Sequence, residues 1–218
     1  MRRLILVLTL AVLLSPAAAL SDSRVGIGPL TDISLADIKS ALPPDTHVLI
    51  GRKEIESFLN ALEKAPPDWA AVYGHGHHDP GHDERLFNLN RERDAARKGN
   101  PVLQWRVAFV WTGQLSRFDF EDSGYPVSIG PEFTQTGWGM VRFKAEDMPA
   151  NLRAVPIRKL RAPIRVRMAN QEKIEVAVVF VGTLIPEESI VYDFSHDEEG
   201  LGLIMPVVRV EHTLYVLK

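Results

Sequence analysis

The stretch GHGHHDPGHDE, residues 74–84, packs four of the chain's seven histidines and three carboxylates into eleven positions. Imidazole nitrogens and carboxylate oxygens ligate divalent first-row metals, so His75, His77, His78, Asp79 and His82 form a candidate site for zinc, copper or nickel. If the preceding WAAVY runs on as a strand, His75 and His77, two residues apart, point to the same side. Two structural readings compete with a metal. Gly74, Gly76, Pro80 and Gly81 make an exposed, turn-rich loop, and Asp79 or Asp83 can cap a helix starting near Glu84.

The same residues resemble the metallo-β-lactamase fold, whose signature is His-x-His-x-Asp-His after a strand. His75, Gly76, His77, His78 and Asp79 match its first five positions, and Pro80 stands at the sixth. The resemblance implies a zinc held by His75, His77 and His196, with Asp79 as base toward a metal-bound water. It covers five residues, and between His82 and His196 the chain has no histidine.

Two further clusters suit binding. LRAVPIRKLRAPIRVR, residues 152–167, carries Arg153, Arg158, Lys159, Arg161, Arg165 and Arg167 without an acid. Arg165 and Arg167 alternate with Ile164, Val166 and Met168, the pattern of a half-buried strand with a wet face. With Arg158 and Arg161 as candidate contacts, this face suits an anionic partner such as lipid headgroups, cell-wall polymer or an acidic protein. Among the aromatics, Trp105, Phe109 and Trp111 alternate as core residues do. Tyr125, Phe133 and Trp138 sit beside glycine and proline and are candidates for a rim that stacks on a sugar or peptide.

Other chemistries lack their residues. Cysteine is absent, which removes thiol nucleophiles and disulfides. No G-x-S-x-G occurs, nor a glycine-rich phosphate loop ahead of a helix. Ser195, His196 and Asp197 are neighbours in sequence, whereas triad members meet in space. His47 and His212 read as ordinary strand histidines.

MRRLILVLTLAVLLSPAAAL has two arginines, a short apolar run and an A-x-A site, the layout of a signal peptide cleaved after Ala19. The expected mature chain is soluble and periplasmic or secreted, without a membrane span. Cleavage takes the formal charge from −3 to −5, which gives no electrostatic case for binding nucleic acid.

The elements that must position these residues divide the chain after the leader, 1–19, into a mixed helix and strand region, 20–100, and an antiparallel β-rich region, 101–218, able to share one core. In the first, SLADIKSAL has a capped helical start, and Ile55, Phe58, Leu59 and Leu62 make an amphipathic helix. In the second, strands are expected at VLQWRVAFVWTG, WGMVRFK, SIVYDF and LIMPVVRVEHTLYVL, with a strand–turn–strand over 162–185 turning near Asn170. The fold class is therefore α+β with a barrel or sandwich, and a five-stranded oligomer-binding barrel suits the order. The expected function is an exported binding or assembly protein, its ligand an envelope component or small molecule. The alternative is a zinc-dependent hydrolase centred on the histidines.

Overall fold

A computed structural model describes residues 25–75, 79–116, 124–186, 190–194 and 202–218; the segment expected to be a leader, His77, His78 and His196 lie outside them. The described strands are β1 (Ile27–Thr31), β2 (Thr46–Val48), β3 (Arg106–Leu115), β4 (Tyr125–Gly130), β5 (Thr134–Thr136), β6 (Gly139–Val141), β7 (Lys144–Ala145), β8 (Arg153–Pro156), β9 (Glu175–Leu184), β10 (Ile190–Phe194) and β11 (Gly202–Leu217). The helices are α1 (Arg52–Leu62), α2 (Trp69–Tyr73), α3 (His82–Arg97) and α4 (Arg158–Ala169), with 3-10 turns at Leu35–Ala41 and Pro101–Gln104.

Six strands, in the order β1-β8-β4-β3-β9-β11, close into a barrel, because β1 also pairs with β11. The long staves β3, β9 and β11 are antiparallel, β3 running from Arg106↔Thr183 to Gln114↔Glu175 against β9. The closing strand β1 is parallel to both neighbours, with Leu30 opposite Tyr215 and Pro156. The molecule is thus α+β, and its barrel has six staves instead of the expected five. The extra stave comes from the N-terminal part of the chain, which a reading confined to 101–218 omits.

β9 reads as a continuous apolar run because both its faces are covered. Val176, Val178 and Phe180 join the main core with Val107, Phe109 and Trp111, while Ala177, Val179 and Val181 pack with Ala108 and with Ile38 and Leu42 of the first 3-10 segment. The helix α1 presents Ile55, Phe58, Leu59 and Leu62 to the main core, as their spacing predicts. One hydrophobic cluster therefore draws on both halves of the chain.

Two local expectations are corrected, while the capped helical start at SLADIKSAL is present. SLADIKSAL forms a 3-10 helix, with the Ser34 hydroxyl accepting from Ala36 N–H. WAAVY is the helix α2 and not a strand: Asp68 accepts from Ala71 N–H at its start, and Gly74 leaves it at φ 62°. Residues 158–169 form α4, so Arg165 and Arg167 do not line a strand. Their alternation is outweighed by Leu160, Ile164 and Met168, which share a helical face. Leu160 and Ile164 are buried in the main core and Met168 packs against it. The expected turn near Asn170 is present as the end of this helix, with Gln171 at φ 63°.

The helix α3 covers the outer edge of β10, where an exposed strand would otherwise offer unpaired backbone. The Asn90 carboxamide accepts from Tyr192 N–H at 2.8 Å and donates to Tyr192 C=O at 2.9 Å, standing in for a neighbouring strand.

Candidate functional site

The described residues of 74–84 form the connection between α2 and α3. Arg85, in the first turn of α3, donates to the last carbonyls of α2, Val72 at 2.9 Å and Tyr73 at 3.4 Å, groups that a helix end leaves open. It also pairs with Asp79 at 2.9 Å. The Asp79 carboxylate accepts from Gly81 N–H at 2.9 Å and His75 N–H at 3.1 Å. These two amides, and then the guanidinium, hold its carboxyl well below the usual carboxylate range. His82 is half-buried as the first residue of α3, its Nδ1 2.9 Å from Asp79 C=O, its Nε2 3.2 Å from Asp83 and its ring 5.2 Å from Phe194. His75 is exposed at the end of α2. Among the described residues no group of three His, Asp or Glu side chains is placed to hold a metal, and His77 and His78 lie outside that set.

Because the folded state lowers the Asp79 pKa, its contribution to stability is complete above the ordinary carboxylate value, about pH 4, and is lost as pH falls below that toward the folded value. Asp79→Ala should therefore melt below the parent at pH 7, and thermal scans down the pH series should show the gap closing only in acid. A gap independent of pH would mean that the carboxylate charge does not hold this connection.

The aromatic rim is not present as expected. Tyr125 is 3% and Trp138 4% exposed, and Phe133 alone of the three is accessible, at 41%. Trp138 is packed in the main core, and the Trp69 indole N–H of α2 donates to its C=O at 2.7 Å. Tyr125 is drawn inward by pairing of β4 with β8, opposite Ala154. Phe133 lies 5.8 Å from the Arg142 guanidinium. Arg158 and Arg161 are exposed on α4.

A polar arrangement that the sequence did not announce lies on the other side of α1. A cleft of about 590 Å³ is lined by β2, the start of α1 and Trp105, and includes Lys39, Asp45, His47, Lys53, Glu54 and Ser57. The exposed His47 ring lies flat on the half-buried Trp105 indole, with centroids 3.7 Å apart and planes within 3°. Parallel pairing of β2 with β3, His47 opposite Val107, brings these rings together across 58 positions of sequence. Asp45 is engaged by Arg106, at 2.8 and 3.0 Å. The neighbouring Thr46 is buried, and its hydroxyl has no hydrogen-bond partner among the described residues.

A second cleft, of about 720 Å³, is lined by Asn60, Glu63, Lys64, Arg93, Arg97 and Asn100 among others. Its wall is a buried charge cluster. Glu63 Oε1 accepts from Arg97 and from the Tyr192 hydroxyl, and Oε2 from Arg93. Arg97, 1% exposed, also donates to Asp94 and to Ile190 C=O. Both Glu63 oxygens are thereby occupied, so this cluster is built as a tie between α1, α3 and β10 and does not offer a free acid or base. Nothing in the local sequence marks it, since Glu63 and Arg97 look like ordinary helix-end charges.

Comparison with protein-family models, with curated proteins and with solved structures returns no match to this chain.

Proposed function

We propose that the chain is an exported binding protein and that the cleft at His47 and Trp105 takes a small, flat, anionic organic ligand. The observation that carries this reading is the stacked His47–Trp105 pair. An indole already covered on one face by an exposed imidazole presents a rigid planar platform at the cleft wall, against which an aromatic or conjugated group can lie. Lys39 and Lys53 line the same cleft and can attract an anionic substituent; of the two carboxylates there, Asp45 is paired with Arg106, which also holds Glu211, and Glu54 stands at the start of α1. A concave site with an apolar platform and a few polar groups is the usual form of a small-molecule pocket. No helix among the described residues is long and apolar enough to cross a membrane.

The test is tryptophan emission during titration with simple aromatic carboxylates, indole-3-carboxylate and nicotinate among them, beside their uncharged amides. Carboxylates should give a saturable change that the amides do not. Replacing His47 by alanine should weaken it about 3–10-fold, the worth of one stacked pair. Equal affinities in the parent and His47→Ala would sink the assignment of this cleft.

A further inference from the structure

Recasting residues 158–169 as a helix rearranges their charges. The helix α4 carries Arg158, Lys159, Arg161, Arg165 and Arg167 and no acid. At 3.6 residues per turn, Arg158, Arg161 and Arg165 fall within an arc of about 60° on one flank of the exposed side, about 110° from the mean direction of the buried Leu160 and Ile164. Lys159 is taken up by Asp32 at 2.7 Å, and Arg167 by Glu172 at 3.0 Å. Arg158 and Arg161 meet no carboxylate among the described residues, and Arg161 Nε donates to Pro156 C=O at 3.4 Å.

The helix joins β8 to β9 across one end of the barrel, where β1 and β11 also finish, so its outer face is presented as a surface and not as the wall of a pocket. Next to the arginines around the helix stand the exposed Ala162 and Val166, the last 59% accessible and about 80° from Arg158. We propose that α4 docks the protein on an anionic lipid bilayer, with Arg158 and Arg161 at the headgroups and Val166 at the interface.

Charge complementarity selects an anionic partner, and the shape of the face selects a plane. A convex helix face cannot enclose a small anion, whereas parallel guanidiniums on long apolar stems match a sheet of phosphates. The exposed Val166 adds contact with a bilayer interface but none with a hydrated polyanion. This surface is separate from the His47 cleft, and either assignment can fail without the other.

The experiment is co-sedimentation with phosphatidylcholine vesicles, with and without phosphatidylglycerol. It uses the chain from Leu20 onward, which keeps every described residue and removes the apolar leader that would itself enter lipid. Binding is expected only with phosphatidylglycerol, and it should fall as salt is raised. Arg158→Gln/Arg161→Gln should weaken partitioning about 25-fold, at about fivefold per arginine. Arg158→Lys/Arg161→Lys should keep it, because attraction to a charged plane counts charge more than shape. Unaltered melting of both variants excludes misfolding as the cause. The proposal is overturned by equal sedimentation with the two vesicle types or by undiminished binding of the glutamine variant. Equal loss in the lysine variant, or retention on soluble polyphosphate without any vesicle binding, overturns it as well.

Discussion

Glu63→Ala should lower the free energy of unfolding by about 3–5 kcal/mol, read from urea denaturation. The size of the effect follows from what is left behind. Arg97 is buried and loses its main partner, Arg93 loses its own, and the Tyr192 hydroxyl loses its acceptor. Burial, and next the Glu63 charge, push the Tyr192 hydroxyl well above the usual phenol range, so it remains a donor needing an acceptor. Left with Asp94 and Ile190 C=O, the Arg97 guanidinium cannot neutralise itself, because arginine keeps its proton at any ordinary pH. Replacing the buried pair, as Glu63→Leu/Arg97→Met, should recover the share of the loss that comes from Arg97, since well-packed apolar pairs substitute for buried ion pairs at little net cost, while Arg93 and the Tyr192 hydroxyl still lack Glu63. A loss below about 1 kcal/mol for Glu63→Ala, the range of exposed pairs, would show that water reaches the cluster.

Gly28→Ala is expected to cost about 3 kcal/mol, at the upper end of overpacking effects. A Cβ on Gly28 would stand 1.8 Å from Thr213 C=O, and this neighbour is backbone that cannot rotate away. The clash falls in the seam between β1 and β11 that closes the barrel, where Tyr215 also donates to Gly26 C=O at 2.6 Å. Relief requires the seam to part, so amide exchange should rise at Leu30 and Tyr215 ahead of global unfolding. Gly130→Ala is the control. Its Cβ would meet only Thr112 Oγ1, at 3.9 Å, and the change should stay within about 0.5 kcal/mol. Equal effects at the two glycines would mean that the seam is not tightly closed.

Neither prediction could be written from the sequence, and the reason lies in how far each signal extends along the chain. The stripe of α1 is a property of eleven consecutive residues, and the apolar runs of β3, β9 and β11 belong to single segments, so periodicity identified them. α4 is an intermediate case. Ile164 and Val166 favour strand, Pro163 disfavours a helix interior, and Arg165 and Arg167 alternate with the apolar residues, yet Leu160, Ile164 and Met168 carry the helical period that burial against the barrel selects. The histidine stretch was conspicuous in composition, but its described geometry is set by Arg85 reaching back to α2, a contact with no local signature.

By itself the sequence determined the α+β class, the main strands, the amphipathic α1 and the absence of cysteine chemistry. Only the tertiary structure decided that β1 closes a six-stranded barrel, that His47 lies on Trp105 and that Glu63, Arg97 and Tyr192 form one buried cluster. Propensity and hydrophobic period act within a segment, whereas strand partners and buried ion pairs depend on energies between segments far apart in the chain.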